Sequence, residues 1–166
     1  IAAGTKLASY CLTEANAGSD AASIATTARL DGDNYVLNGA KAFISGAGDT
    51  DVLVVMARTG EAGAGGISAF AVPSDTVGVS FGKNEPKMGW NSQATRTISF
   101  ENARVPATHL LGAPGEGFGI AMRGLEGGRI NIAACSLGAA QATLDMTQRY
   151  LSERKQFGQV LADFQA

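Results

Sequence analysis

The stretch Ile24-Ala25-Thr26-Thr27-Ala28-Arg29-Leu30-Asp31-Gly32-Asp33-Asn34-Tyr35-Val36-Leu37-Asn38-Gly39-Ala40-Lys41-Ala42-Phe43-Ile44-Ser45 fixes the reading of the fold. Ile24, Thr26, Ala28 and Leu30 alternate with less apolar neighbours, so one face of an extended segment is apolar. Asp31-Gly32-Asp33-Asn34 supplies a tight turn, and Tyr35-Val36-Leu37 begins the return strand. Asn38-Gly39 reads as a second turn, followed by an extended Ala42-Phe43-Ile44. The same grammar continues outward. Leu7 to Thr13 is a short apolar run. Val52-Leu53-Val54-Val55-Met56 reads as a strand buried on both faces. Gly60 to Gly66 is a flexible loop, Ile67 to Val72 is a strand ending at Pro73, and Val77 to Phe81 and Thr95 to Phe100 alternate again. Strands at this spacing, with no helical pattern between them, predict a mainly β domain over residues 1–108, an antiparallel barrel or sandwich.

The character changes near residue 115. Val105-Pro106 to Pro114 reads as a junction, and Gly115-Glu116-Gly117 leads into a helical pattern that opens a second, α-helical domain over residues 116–166. Ile130, Leu137, Leu144 and Leu151 recur every seven residues, flanked by Ala133, Ala140 and Met146. Gln141, Asp145, Gln148, Arg149 and Ser152 occupy the other face. Arg154-Lys155-Gln156-Phe157-Gly158 reads as a helix terminus, with cations at the negative end of the macrodipole and Gly158 just past the last turn. A lone amphipathic helix leaves its stripe bare, which implies partner helices from the same chain or another subunit. The chain opens with Ile1 and closes without a cap, so it is expected to be a piece of a longer protein.

Composition removes several chemistries. The 166 residues are 45 % hydrophobic and 17 % charged, a globular balance. Thirteen Lys and Arg against fifteen Asp and Glu give a net charge of −2, with no footprint for nucleic acid or an anionic membrane. His109 is the single histidine and no G-x-S-x-G elbow exists, which argues against a serine triad. No His/Cys cluster suits zinc. Cys11 and Cys135 read as two small buried thiols of a reducing compartment. No run reaches the ~18 apolar residues of a membrane span. Gly115-x-Gly117-x-Gly119 lacks dinucleotide spacing, and Gly82-Lys83 is followed by Asn84, so neither is a nucleotide fingerprint.

The remaining candidate is Tyr10-Cys11-Leu12-Thr13-Glu14-Ala15-Asn16-Ala17-Gly18-Ser19-Asp20. A strand runs into a loop of small and hydroxylated residues, with Asp20 placed to cap a short turn. Such a loop directs N–H and O–H groups at one spot, which suits a strongly accepting ligand. On the residues alone an ordinary capped loop is the favoured reading, with Glu14 a surface carboxylate, Phe43 a core residue, Trp90 a plug in the β-domain and Arg129 a solvated charge.

The run Cys11-Leu12-Thr13-Glu14-x-x-Ala17-Gly18-Ser19-Asp20-x-x-Ser23 resembles the signature of the acyl-CoA dehydrogenase family. Further matches follow in chain order: Asn38-Gly39-Ala40-Lys41-Ala42-Phe43-Ile44-Ser45, Lys87-Met88-Gly89-Trp90, Val105-Pro106, Gly115-Glu116-Gly117-Phe118, Gly127-Gly128-Arg129, Arg154-Lys155-Gln156-Phe157-Gly158 and Phe164-Gln165. One departure is Ala15-Asn16, where the family commonly has Pro-Gly.

The resemblance implies a fragment of an α-β-α three-domain flavoprotein that binds FAD and oxidises a short or branched acyl-CoA between Cα and Cβ. It places FAD against Tyr10, Leu12, Thr13, Ser19, Phe43, Ile44 and Ser45. Leu12 and Thr13 are expected to donate to the pyrimidine edge, Ser45 to the N5 side, and Phe43 to pack on the ring face. Arg154, Phe157, Phe164 and Gln165 are expected to contact FAD held by a neighbouring subunit, and Ser19, Glu126 and Arg129 to contact the acyl-CoA. The catalytic base is expected outside these residues, because the position used by a minority of members is Gly128 here. The implied partners are an electron-transferring flavoprotein and further copies of the chain, as a dimer or tetramer. The implied compartment is the cytoplasm in a bacterium or the mitochondrial matrix in a eukaryote. Two alternatives stay open: a flavin oxidase or monooxygenase on the same scaffold, and a non-catalytic β-domain used for binding or assembly.

Overall fold

A computed structural model describes residues 1–164, which form two compact units, one over residues 1–122 and one beginning at residue 123. The strands of the first unit are β1 (Ala8–Cys11), β2 (Thr27–Asp31), β3 (Asn34–Ser45), β4 (Val52–Arg58), β5 (Ile67–Pro73), β6 (Val79–Phe81), β7 (Thr95–Pro106) and β8 (Leu110–Leu111). They join one eight-stranded sheet in the order β6-β7-β3-β2-β4-β5-β8, with β1 added beside β4. Most pairs are antiparallel, but β1 runs parallel to β4, and β2 meets β4 through the single parallel pair Thr27–Arg58. That narrow joint divides the sheet into two blocks, β6-β7-β3-β2 and β1-β4-β5-β8. Leu37, Ile44, Ile98 and Phe100 from one block share a core with Leu53, Val55, Phe70 and Val72 from the other, all 2 % exposed or less. Tyr35 of β3 meets Phe70 of β5 ring to ring, centroids 4.8 Å apart. The arrangement is a sandwich and not a closed barrel. Each of these large side chains is worth about 1.5–3 kcal/mol of burial, which is what holds so slender a joint closed.

Several expectations need correction. Asn38-Gly39 is no turn, because β3 runs unbroken through it. The opposing strand instead takes an extra residue there: Leu37 pairs Ala103 and Gly39 pairs Phe100, with Asn102 at φ 50°. Gly39 is nevertheless required, since at φ 141° a Cβ would fall 2.7 Å from Thr26 Cα. Leu30 is 58 % exposed despite its apolar register, because the tip of the β2–β3 hairpin projects past the core together with Asp31, Gly32 and Asp33. Trp90 is 67 % exposed at φ 57° and plugs nothing in this chain. β7 extends to Pro106, so the start of the predicted junction is still strand.

Helix α1 spans Gly117–Glu153 as one continuous element of 37 residues that runs through Gly127-Gly128. Its first turn belongs to the first unit. Tyr10 Oη donates to the Ala121 carbonyl at 2.9 Å, and the Gly115 N–H donates to Ser68 Oγ at 3.0 Å. Gly117 rests directly on the Ser68 backbone, where a Cβ would collide.

In the second unit, the stripe expected to be apolar lies open: Ile130, Leu137, Leu144 and Met146 are 53–73 % exposed. Cys135 is exposed too, contrary to its reading as a buried thiol, while Cys11 is buried; both are free. The Arg154–Gly158 end is also different from the expectation. The helix stops at Glu153, and β9 (Lys155–Gln156) and β10 (Gln159–Val160) form a hairpin. Phe157 at φ 50° and Gly158 at φ 81° are its two turn residues, both in the left-handed region, as a type I′ turn demands. Gly158 therefore closes a hairpin and does not cap the helix. Among the described residues no helix is long and apolar enough to cross a membrane, and no His, Cys, Asp or Glu cluster could hold a metal ion.

Candidate functional site

The site grows from the end of β1. Leu12 and Thr13 leave the strand and run beside β3. Their carbonyls are both claimed: Lys41 Nζ donates to Leu12 O at 3.1 Å, and the Ala42 N–H donates to Thr13 O at 2.8 Å. Glu14 and Ala17 then exchange backbone bonds of 3.0 and 3.1 Å, closing a tight loop over Ala15-Asn16. Among the described residues, the hydroxyls of Thr13, Ser19 and Ser45 and the amide of Thr13 donate to no protein acceptor. Thr13 is half-buried, while Ser19 and Ser45 are exposed.

β3 supplies the opposite half through a second bulge. Lys41 pairs Ile98 and Ile44 pairs Arg96, so three steps on β3 answer two on β7. The extra residue is absorbed at Phe43, which adopts φ 56°. As a result Lys41 and Ile44 both point inward, 0 % and 2 % exposed, and the Phe43 ring stands out at 65 % exposed. Phe43 is thus not a core residue. An aromatic residue held left-handed in a strand costs about 1–2 kcal/mol, a strain that persists where function uses it. Ser9 ties this edge to β1, since its hydroxyl donates to the Ser45 carbonyl at 2.8 Å. Unspent donors at Thr13 and Ser45 and the bared face of Phe43 therefore sit on two segments bonded side by side.

The supporting layer was hidden from sequence reasoning. Glu14 is no surface carboxylate. It is 9 % exposed and pairs with the fully buried Lys41 at 2.7 Å. Its oxygens also accept from the Ala25 N–H at 2.7 Å and the Thr26 N–H at 3.0 Å. Burial alone would raise the Glu14 pKa, but bonds from Lys41, Ala25 and Thr26 outweigh it and hold the carboxyl below its ordinary range. Burial pulls Lys41 down from the usual ammonium range, with Glu14 opposing. Nothing in the residues announced this pair, because twenty-six residues separate its members and neither lies in a charged run.

The other predicted residues divide by what they can offer. Leu12 and Ile44 lie in the core, so only their backbone can face a ligand. Tyr10 spends its hydroxyl on Ala121, and burial pushes its pKa up to about 12. Burial likewise pushes Cys11 up to about 12, with the Lys41 charge opposing, which makes the thiol unreactive. In the second unit Glu126 and Arg129 are exposed on α1. Arg154 heads the β9–β10 hairpin, its carbonyl accepting from the Leu161 N–H at 2.8 Å. Phe157 is 95 % exposed at the hairpin tip and stands edge-on to Phe164, centroids 6.2 Å apart. Gln165 lies outside the described residues.

Residues 9–103 match the acyl-CoA dehydrogenase middle domain, and residues 115–166 match the acyl-CoA dehydrogenase C-terminal domain. The chain belongs to the acyl-CoA dehydrogenase family. The members of that family are FAD-dependent. This acyl-CoA dehydrogenase chain is 58 % identical over 162 residues to the mitochondrial isobutyryl-CoA dehydrogenase of Dictyostelium discoideum, covering 97 % of this chain and 39 % of that protein. It is 56 % identical to the mitochondrial isobutyryl-CoA dehydrogenase of Bos taurus over 96 % of this chain and 38 % of that protein. Among solved structures, butyryl-CoA dehydrogenase from Megasphaera elsdenii superposes with a TM-score of 0.92 at 44 % identity, covering 97 % of this chain and 43 % of that one. The chain spans about two fifths of the length of these relatives.

Proposed function

We propose that this chain is the cofactor-binding core of an FAD-dependent enzyme that dehydrogenates a short or branched acyl-CoA thioester between Cα and Cβ. The observation that carries the reading is Phe43, turned out of β3 by a bulge at φ 56° and flanked by the unspent donors of Thr13 and Ser45. A flat, acceptor-rich aromatic ligand meets both requirements: a ring for Phe43 to stack on, and carbonyl and ring-nitrogen acceptors for the amide and hydroxyls. FAD, when bound, supplies a hydride acceptor and gains negative charge at its pyrimidine edge. Fixed donors at Thr13 favour that charge without reorganising. Similarity to isobutyryl- and butyryl-CoA dehydrogenases supports the choice of acyl group.

Ser19 offers a free hydroxyl, and Arg129 a permanent cation, to the polar part of the coenzyme. Phe157, Phe164, Arg154 and Gln165 are assigned to the FAD of a neighbouring copy. An electron-transferring flavoprotein receives the electrons. No residue of this chain is assigned as the α-proton base. Gly128 carries no side chain, and Glu126, two residues earlier, lies about 200° away around the helix. The isolated chain is therefore inactive.

The test uses the protein expressed from its full reading frame and loaded with FAD. Anaerobic addition of isobutyryl-CoA and a series of straight-chain thioesters should bleach the visible flavin band, most completely with a four-carbon acyl group. A colourless protein, or a band unmoved by every thioester, overturns the reading. Rapid reoxidation of the reduced protein by oxygen selects an oxidase instead.

A further inference from the structure

We infer that the buried Glu14–Lys41 pair is a positioning brace, holding the Leu12–Thr13 peptide so that the Thr13 N–H faces the ligand side of the loop. The inference rests on the flavin reading above. Lys41 precedes the β3 bulge and is 0 % exposed, a costly place for an ammonium group. Two of its three donors reach acceptors on the loop, Leu12 O at 3.1 Å and Glu14 Oε1 at 2.7 Å. Glu14 in turn gathers the Ala25 and Thr26 amides, so the loop, the 24–26 segment and β3 converge on one ion pair.

The consequence follows from peptide geometry. The Leu12–Thr13 bond is trans and planar, so its C=O and N–H point in opposite directions. With the carbonyl drawn to Lys41 in the interior, the Thr13 N–H is turned away from it, and among the described residues it has no partner. The next peptide is fixed likewise: Thr13 O accepts from Ala42, and the Glu14 N–H donates to Ala17 O. An apolar pair of similar volume often stabilises a core as well as a buried ion pair does. What an apolar pair cannot do is hold a carbonyl by its oxygen. The brace therefore fixes ligand geometry in addition to the stability it contributes.

The experiment uses the full-reading-frame protein and its K41M and E14Q/K41M variants, with FAD as the probe. K41M leaves a lone buried carboxylate, so its apo-form should melt well below the parent; the double variant removes both charges and should melt close to it. The double variant should nevertheless bind FAD at least tenfold more weakly, about 1.4 kcal/mol. Its flavin midpoint potential should be more negative and its visible band shifted, neither of which a loss of packing alone produces. In the unmodified apo-protein, the Thr13 amide should exchange rapidly with solvent and become protected at least tenfold on adding FAD. Equal affinity and potential in parent and double variant, or a Thr13 amide already protected without FAD, overturns the brace while leaving the flavin reading intact. A parent that takes up no FAD overturns both.

Discussion

Phe43 shows how one residue can be placed against its own preference. Its ring is 65 % exposed and its backbone is left-handed, so neither burial nor conformation favours it there. Replacing it with glycine relieves about 1–2 kcal/mol of steric cost but adds roughly 0.5–1 kcal/mol of chain entropy. Phe43→Gly should therefore shift the urea midpoint of the apo-protein by less than about 1 kcal/mol equivalent, while FAD affinity drops at least tenfold. Spectral titration and denaturation of the same preparation check the two halves. Glu14 gives the second prediction at this scale. Its pKa is depressed in the folded chain, so in the acid range the unfolded chain binds more protons. Its stabilising contribution is thus complete above the unfolded pKa and is lost as pH falls through the folded one. Glu14→Gln, which cannot titrate, should flatten the fall in denaturation midpoint between about pH 5 and 3 relative to the parent. A variant with an unchanged acid slope would contradict the assignment.

Within elements, the decisive variable is what stands opposite a position. Gly117 and Gly127 occupy the same helix, and helix propensity alone favours alanine at both by about 1 kcal/mol. At Gly127 a Cβ meets nothing within 4 Å, whereas at Gly117 it collides with the Ser68 backbone of β5. Gly127→Ala should raise the helical signal at 222 nm and the melting temperature of the 166-residue chain. Gly117→Ala should lower stability by about 1–3 kcal/mol, because β5 would have to move. The same principle separates the two irregularities on the β3–β7 ladder. The Asn102 bulge lengthens β7 and the Phe43 bulge lengthens β3, so the register slips out and back and Lys41 ends up facing inward. Residue types alone gave little sign of either bulge, since Asn38-Gly39 carries a turn signature and Phe43 sits in a plain apolar triplet.

For the molecule as a whole, the two units differ in how much of their apolar surface they satisfy by themselves. The first encloses a core whose large side chains are 2 % exposed or less. The second leaves Ile130, Leu137, Leu144 and Met146 in solvent, a row too long for a solitary helix to leave bare. The isolated chain should therefore self-associate at micromolar concentration. Leu137→Glu with Leu144→Glu should return it to a monomer in light scattering, without altering the strand signal of the first unit. Association that survives both charges would place the contact elsewhere.

Alternation, turn residues and heptad spacing determined the β-then-α order, most strands, the long helix and the loop on which the site is built. These are local properties: side-chain periods of 2 and 3.6 are imposed by the backbone and can be read from a few consecutive residues. Resemblance in the Thr13–Asp20 and Asn38–Ser45 runs added the chemistry. Only the tertiary structure decided that Glu14 is interior, that Lys41 grips Leu12, that Phe43 faces out and that Gly158 turns a hairpin. Each of these depends on a partner strand, a register or a turn conformation. Register is a relation between distant segments, settled when the whole sheet finds its lowest free energy.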